Sequence, residues 1–390
     1  MISVDAALDQ LFELVTALRA EQVPLSEAAG RVMVRDASAA RDQPPFTASA
    51  MDGYAVRSQD VTPGAQLTVI GEAAAGHHLN TSLQPFECAR IFTGAPLPDG
   101  ADRVIIQEDV TRDCDVITLG DQLDAGPYVR AQGADFAIGE TMEAPRRLRA
   151  SDVALLAAMN VSTVTVTRKP RVALISTGDE LVLPGQTPGP DQIIASNTYG
   201  LKVMLDTEGA EARILPIARD TAPSLTAAFD LAQDADMIVT IGGASVGDHD
   251  LVAHVAETMG LRKAFYKIRM RPGKPLMAGK MGDTPMVGLP GNPVSAMVCG
   301  KVFLVPMLRV MLGFPAAPAQ RETALLAHDI SENGPREHYM RAVVDDGQIA
   351  PAERQDSSLL SVLARSNALM IRPPKDGARR KGEQMEYLPL

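Results

Sequence analysis

Residues 236–250, with the sequence DMIVTIGGASVGDHD, constrain the fold more than any other segment. The apolar run MIVTI at 237–241 is short and rich in β-branched residues, which predicts a buried strand. Gly242, Gly243 and Gly247 follow, and glycine lets backbone N–H groups approach an anion closely. A helix beginning at Leu251 would add its dipole. The segment indicates either a phosphate-binding loop or an ordinary glycine turn.

Two further segments repeat this pattern of a strand followed by a polar turn. The run RVALI at 171–175 leads into STGDEL at 176–181, and MVGL at 286–289 leads into PGNPVS at 290–295. Three such units predict a parallel sheet whose strands end at one edge. Because open α/β sheets bind ligands at the carboxyl ends of their strands, we expect the three turns to meet at one pocket.

The rest of the chain predicts additional domains around this sheet. Apolar residues at helical spacing predict a first helix from Val4 to Leu18, which we expect to pack with a second helical segment at 151–159. Pro44-Pro45 marks a boundary, and short β-rich runs fill 66–128. Strand-like runs recur after Pro315 and Pro318. The predicted domains are 1–45 with 130–168, 46–129, 169–317 and 318–390.

Composition excludes several classes of protein. The net charge of −11 argues against nucleic acid as the main partner, and an apolar fraction of 46% supports packed cores. The three cysteines lack metal-type spacing, which fits a reducing compartment. The N-terminus has no signal-peptide pattern, and we expect no apolar run that approaches about 18 residues. These features favour a cytoplasmic protein without a membrane segment.

Polar residues on rigid turns are the candidate functional groups. They suit metal-assisted chemistry on a phosphate-bearing ligand, where positioning and electrostatics dominate. Asp52 lies in a tight turn, where it could instead form a simple Asx turn without a functional role. The charges of the basic turn RPGKP at 271–275 could likewise be ordinary solvated surface charges. The sequence contains no recognisable Ser/His/Asp arrangement, zinc spacing or P-loop motif. The candidates are Asp52, Thr93, Asp135, Glu180, Asp220, Asp250, Arg130, Arg271 and Lys274.

Six motifs occur along the chain in the following order: SAMDGYA at 49–55, RIFTGAPLPDGADRVIIQED at 90–109, STGDEL at 176–181, GGASVGDHD at 242–250, RPGKP at 271–275 and GLPGNPVSA at 288–296. Each motif is weak alone, whereas the ordered set is specific and covers nearly the whole chain. Together the motifs resemble the molybdopterin molybdenumtransferase family, which is related to the E domain of gephyrin.

The resemblance implies a fold, a reaction and an assembly. The fold would be multidomain, with a three-layer α/β molybdopterin-binding domain, a β-rich insert, an elongated N-terminal domain and a C-terminal domain resembling a β-barrel. The reaction would insert molybdenum from molybdate into adenylylated molybdopterin and release AMP, with Mg²⁺ as cofactor. The assembly would be a homodimer with its active site between subunits. A molybdopterin adenylyltransferase would supply the ligand.

The resemblance also implies roles for individual residues. The catalytic set would be Asp52, Thr93, Asp135, Glu180, Asp220 and Asp250, of which Glu180, Asp220 and Asp250 would bind the metal. In the C-terminal domain the family's usual Gly-Ser is replaced by Gln355-Asp356-Ser357-Ser358, and Ser357 is the counterpart of its serine. The substrate-binding residues would be Arg130, Gly242, Gly243, Ser245, Gly247, Arg271, Lys274, Pro290, Pro293, Arg341 and Ser357.

Two alternatives stay open at this point. The α/β domain alone also resembles a molybdopterin adenylyltransferase, although such an enzyme needs neither the β insert nor the C-terminal domain. A gephyrin-like scaffold is the other alternative, although a binding module would not need acidic residues on every turn.

Overall fold

The computed structural model describes residues 1–243 and 251–390, and these residues form two compact units. The larger unit comprises Met1–Glu21, Gly30–Val34 and Val166–Leu390. The smaller unit comprises Gln22–Ala29 and Arg35–Thr165. Strands Ala20–Pro24 and Thr163–Thr167 lie where the chain passes from one unit to the other.

A six-stranded sheet is the centre of the larger unit. Its first four strands are mutually parallel, and the last two are antiparallel to their neighbours. This confirms the parallel-dominated α/β sheet that the sequence predicts. In spatial order the strands are Glu211–Ile214, Arg171–Ser176, Met237–Ile241, Thr284–Leu289, Met277–Met281 and Leu261–Tyr266.

Side chains that alternate along the strands cover both faces of this sheet. Val172 and Leu174 belong to one buried cluster, whereas Ala173 and Ile175 belong to another, because successive residues of a strand point to opposite faces. Helices therefore pack on both sides. The helices of this unit are Val4–Leu14, Asn197–Thr207, Ala222–Asp230, Leu251–Thr258, Pro293–Cys299, Val305–Met311 and Leu360–Ala364, with a π-helical turn at Gly300–Leu304.

The first helix ends at Leu14, and its buried residues Val4, Leu8 and Leu11 join the core cluster that contains Val172. The second helical segment, Ala150–Ala158, belongs to the smaller unit, and the expectation that the two helices pack together stays a prediction. An amphipathic stripe shows that a helix has a buried face but does not identify the partner of that face.

One helical stretch among the described residues, Pro293–Met311, has the length and hydropathy of a membrane span, with 19 residues and a mean hydropathy of 1.7. Lys301 and Arg309 divide this stretch into shorter apolar runs, so it does not contradict the expectation that no apolar run approaches about 18 residues. Some 78% of the stretch is buried inside the protein, as in a core helix.

The C-terminal strands of the larger unit close into a barrel, as the sequence predicts. Each strand pairs with two others, so that Glu337–Asp345 contacts both Gln348–Pro351 and Ala368–Arg372. The short strand Met270–Arg271 adds to Glu337–Asp345 in parallel and connects the α/β part with the barrel. The other strands are Glu322–Leu326 and Gln384–Pro389 in the barrel, and Val32–Met33, Leu181–Val182 and Ile193–Ile194 elsewhere in the unit.

The smaller unit contains a second six-stranded sheet and one α-helix, Ala150–Ala158. This sheet confirms the β-rich insert. Its strands, in spatial order, are Arg103–Ile106, Gly53–Val56, Glu87–Ile91, Gln66–Ala73, Val116–Leu119 and Val110–Asp113. The remaining strands are Ala37–Ser38, Ala48–Ser49, Val129–Arg130, Thr141–Met142 and Arg146–Arg147.

Candidate active site

A cavity of about 520 Å³ lies at the carboxyl ends of the three central strands. Glu180, Gly242, Pro290 and Pro293 all lie in its wall, and they come from the three turns that follow these strands. The turns therefore meet at one pocket, as the sequence predicts. Its volume lies within the range of small-molecule sites.

Close backbone contacts explain why glycine occupies two of these turns. Gly242 has φ +95°, and a Cβ atom there would lie 2.6 Å from the carbonyl oxygen of Thr177. Gly178 has φ +146°, and a Cβ atom there would lie 2.4 Å from Glu180 Oε2. At Gly242 only glycine fits both the conformation and the space, so the second turn can pack against the backbone of the first; at Gly178 the positive φ favours glycine, because the Glu180 side chain could move.

Asp220 lies beside two other carboxylates next to this cavity. Its backbone N–H donates to Asp179 Oδ1 at 3.3 Å. Burial, together with the negative charges of Asp179 and Glu180, raises the pKa of Asp220. A cluster of like charges of this kind favours a bound proton or a bound cation. Within residues 1–243 and 251–390, however, no group of three metal-ligating side chains is present.

Several polar residues of the cavity wall were missed by the sequence analysis. Asn197 Nδ2 donates to the carbonyl oxygen of Gly291 at 2.7 Å and so joins the first turn of a helix to the third turn of the sheet. The buried hydroxyl of Thr177 has no hydrogen-bond partner among the described residues. Thr177 follows a strand and Asn197 begins a helix, but only the tertiary fold brings both residues to the same cavity. Ser176, Ser196, Asn292 and Ser358 complete this set.

The basic turn lies between the α/β part and the barrel. Lys274 accepts backbone hydrogen bonds from Ile268 at 3.0 Å and Leu276 at 3.2 Å through its carbonyl oxygen, and the next residue, Pro275, lines the cavity. Arg271 is exposed and pairs in register with His338 of the barrel. Burial, and after it the positive charge of Arg271, lowers the pKa of His338 to about 4. His338 is therefore neutral near pH 7 and adds no positive charge to the turn.

Arg341 and Ser357 are not among the residues that line the cavity. Arg341 is buried, and its guanidinium donates to Gln355 Oε1 and to the backbone oxygen of Asp356 at 2.6 Å. The carbonyl oxygen of Ser357 accepts from the N–H of Val294 at 3.1 Å, while its neighbour Ser358 lines the cavity.

The extra carboxylate of this loop, Asp356, is engaged locally. Its Oδ1 accepts from the hydroxyl of Ser358 at 2.6 Å and from its N–H at 2.8 Å. These two hydrogen bonds lower the pKa of Asp356. The negative charge of Asp356 is therefore stabilised by hydrogen bonds from Ser358 of the same loop.

In the smaller unit, Asp52 and Thr93 form a direct contact. Asp52 Oδ1 accepts from the N–H of Thr93 at 2.7 Å and from its hydroxyl at 2.8 Å. These hydrogen bonds, the backbone one first, lower the pKa of Asp52. Gly53 allows this geometry, because a Cβ atom there would lie 2.0 Å from the carbonyl oxygen of Ile105.

Two other predicted residues of the smaller unit lie on its surface. Arg130 is exposed at the end of a two-residue ladder, where it pairs in register with Ala48. Asp135 is exposed, and its N–H donates to the carbonyl oxygen of Gln43 at 2.9 Å.

Part of the glycine-rich segment lies outside the described residues. Ser245, Gly247 and Asp250 fall in residues 244–250, so the predictions for them stay predictions. Gly243 is described, exposed and has φ +66°.

Comparison with family models and known proteins agrees with this architecture. Residues 2–160 match the MoeA N-terminal region (domain I and II), residues 173–310 match a probable molybdopterin binding domain, and residues 323–390 match the MoeA C-terminal region (domain IV). The chain is similar over 100% of its length to a molybdopterin biosynthesis moeA protein from Pyrococcus horikoshii OT3, at 26% identity, 100% coverage of that chain and a TM-score of 0.85.

Two curated relatives carry the same name. Molybdopterin molybdenumtransferase from Nostoc sp. is 34% identical over 96% of this chain and 90% of its own length. The protein of that name from Haemophilus influenzae is 32% identical over 100% of this chain and 99% of its own length. Because all three family models match in order along the chain and these identities extend over nearly its whole length, the chain belongs to the molybdopterin molybdenumtransferase family.

Proposed function

We propose that this enzyme inserts molybdenum from molybdate into adenylylated molybdopterin and releases AMP. Family membership makes the chain a transferase of molybdenum cofactor biosynthesis; the adenylylated substrate, molybdate and AMP are the proposal. The observation that supports it most is the cavity in which Glu180, Gly242 and Pro290 converge from three strands. A pocket of about 520 Å³ accommodates a substrate of the size of a small-molecule ligand.

Within this proposal, the glycine-rich turn binds the substrate's phosphate. Gly242 and Gly243 have no side chain that would keep the ligand from the backbone N–H groups, and Ser245 and Gly247 would continue the same loop. Pro290 and Pro293 of the neighbouring third turn also line the cavity. Thr177 adds a buried hydroxyl that has no other partner among residues 1–243 and 251–390, so that a ligand oxygen would satisfy it.

Cations beside the cavity are proposed to bind molybdate, which is a dianion. Arg271 and Lys274 lie on the turn next to Pro275, and the neutral His338 leaves them as the positive charges of this turn. Arg341 is proposed to act on the same side, held by Gln355, with Ser357 as a further hydroxyl. Arg130 of the smaller unit is proposed as an additional substrate contact.

The proposed cofactor is Mg²⁺, with Glu180, Asp220 and Asp250 as its ligands. Mg²⁺ prefers oxygen donors, and desolvation together with the negative charges of Asp179 and Glu180, which raise the pKa of Asp220, would favour a cation beside its carboxylate. When bound, the ion would neutralise charge on the phosphate and orient it. Asp220 and Glu180 would hold that charge in place beside the cavity, while Asp250 would contribute from the segment outside the described residues.

Asp52, Thr93 and Asp135 are proposed to act in the same reaction from a second subunit of a homodimer. Thr93 holds Asp52 as an oriented carboxylate before substrate arrives. The four-domain division and the cytoplasmic location are parts of the same proposal. So is a molybdopterin adenylyltransferase as the donor of the ligand.

The two alternatives predict different behaviour. An adenylyltransferase would form adenylylated molybdopterin from ATP, but the matches at 2–160 and 323–390 are to regions beyond the molybdopterin-binding domain. A scaffold would not release AMP at all. The cavity with its carboxylates favours catalysis over scaffolding.

AMP release is the measurement that separates these functions. The protein is incubated with adenylylated molybdopterin, Mg²⁺ and molybdate, and with each component omitted in turn. We expect AMP to accumulate only with Mg²⁺, and molybdenum to appear in the pterin product when molybdate is present. ATP formation or consumption, or no turnover under any condition, would contradict the proposal.

A further inference from the structure

A second cavity lies at the opposite edge of the main sheet, where the strands begin. It has a volume of about 700 Å³, and Arg171 and Glu211, the first residues of two paired strands, both lie in its wall. The candidate active site lies at the other ends of the same strands. The cavity lies wholly within the larger unit and plays no part in the proposed reaction.

Basic side chains dominate the wall of this cavity. Five cations face two carboxylates, Glu21 and Glu211, in a chain whose net charge is −11. The wall contains no aromatic and no aliphatic side chain. The cations are Arg19, Arg31, Arg168, Lys169 and Arg171.

Ion pairs hold three of these cations in fixed positions. Arg168 binds Asp236 through two hydrogen bonds of 2.6 and 2.5 Å, and Arg31 binds both Glu21 and the carbonyl oxygen of Thr167. The Arg31 side chain is only 11% exposed. Arg171 pairs with Asp234 at 3.5 Å. Such anchored guanidiniums lose little conformational entropy when they bind a ligand.

The other two cations are available for a ligand. Arg19 and Lys169 are exposed, and their side chains have no hydrogen-bond or ion-pair partner within the part of the chain that the structure describes. The backbone N–H of Arg168 donates to the carbonyl oxygen of Arg19 at 3.1 Å, so the two segments that carry these side chains are neighbours.

We propose that this cavity, the amino-edge cavity, binds a small hydrophilic polyanion of the oligophosphate class. The two unpaired cations, Arg19 and Lys169, favour an anion, and the arginine forks that line the same cavity match phosphate oxygens well. The wall contains no apolar side chain such as Phe or Leu, so a ligand with a large hydrophobic part is excluded. A volume of about 700 Å³ exceeds the need of a single phosphate and suits several linked ones.

The test measures binding of inorganic tripolyphosphate to the full chain by calorimetry at low salt. Arg19→Ala with Lys169→Ala removes the two unpaired cations and should raise the dissociation constant about tenfold or more. Arg19→Lys with Lys169→Arg preserves both charges and should stay within about threefold of wild type. Because these side chains are exposed and unpaired, the melting temperature of both variants should equal that of wild type.

Two controls locate the bound anion. Arg365→Ala with Lys381→Ala removes the same charge from exposed positions in the barrel region and should leave binding unchanged. Lys274→Ala tests whether the anion binds at the basic turn instead. Citrate in place of tripolyphosphate should bind more weakly if phosphate oxygens are recognised.

Three results would overturn the proposal. They are an absence of binding by wild type at millimolar tripolyphosphate, equal loss of binding in the Arg19/Lys169 and Arg365/Lys381 alanine variants, and loss of binding in Lys274→Ala alone.

Discussion

Asp52 of the smaller unit and Asp220 of the larger unit lie in opposite electrostatic surroundings. Asp52 accepts two hydrogen bonds from Thr93, which lower its pKa. Asp220 is an exposed residue, and partial desolvation of its carboxylate, followed by the negative charges of Asp179 and Glu180, raises its pKa. Both are predicted to be catalytic, so the same residue type is tuned in two directions.

This difference suggests two kinds of task. A carboxylate that is already hydrogen-bonded is ionised and oriented without a ligand, and so suits direct contact with the substrate. A carboxylate among like charges gains most from a cation, and so suits metal binding. We therefore propose that the Asp52–Thr93 pair contacts and orients the substrate, and that the group around Asp220 binds the metal.

The largest expected effect is that of Asp220→Asn. If Asp220 holds Mg²⁺, this variant should lower AMP release by about a hundredfold or more, because the metal stabilises charge in the transition state. The free protein should be as stable as wild type or more stable, since one of three like charges is removed. AMP release at several Mg²⁺ concentrations and thermal melting measure both effects.

Asp283→Asn is the matched control, because it removes one exposed carboxylate from a turn elsewhere. It should have wild-type turnover. If Asp220→Asn also kept wild-type turnover and Mg²⁺ dependence, Asp220 would not belong to the metal site.

A smaller effect is expected from Thr93. Thr93→Val removes the hydroxyl hydrogen bond to Asp52 but keeps the backbone one, and should lower turnover about three- to tenfold. Thr93→Ser keeps both donors and should retain most of the activity. Equal activity in the valine and serine variants would show that the hydroxyl does not orient Asp52 for the reaction.

The smallest effect is on the pH dependence of stability. Because the pKa of Asp52 is lowered in the folded protein, Asp52 stabilises the fold at pH values above 3.8, the pKa of the unfolded state. This stabilisation is lost as the pH falls through the lower pKa of the folded state. The raised pKa of Asp220 destabilises the fold at neutral pH, and this penalty disappears as the pH falls to the unfolded value of 3.8.

Denaturant unfolding at several pH values measures these contributions. At neutral pH without metal, Asp52→Asn should be less stable than wild type and Asp220→Asn more stable. Both differences should shrink on acidification. Differences of the same sign would contradict the opposed surroundings of the two carboxylates.

The convergence of three turns could be predicted from the sequence because it depends on local patterns. Short apolar runs followed by Gly242 or Pro290 indicate strands and turns, and parallel pairing brings their ends to one edge. The sequence predicts a C-terminal domain that resembles a β-barrel, although it does not predict the strands Gln348–Pro351 and Gln384–Pro389. Their short lengths give little periodicity, and their pairing depends on distant partners.

Other features depend on long-range contacts that one sequence does not contain. Asn197 reaches Gly291 across 94 positions, so nothing near Asn197 indicates that it lines the cavity. The enclosure of Arg341 by Gln355 depends on the barrel strand that carries the arginine. The resemblance to a family supplied these candidate roles, whereas spacing and composition alone did not.

Asp52 and the group around Glu180 are proposed to serve one reaction across two subunits of a dimer. Asp52→Ala and Glu180→Ala subunits, each inactive alone, can be co-refolded and assayed for AMP release. Random assortment makes about half of the dimers mixed, each with one intact site out of two, so about a quarter of wild-type activity should return. A mixture as inactive as either parent would contradict the claim.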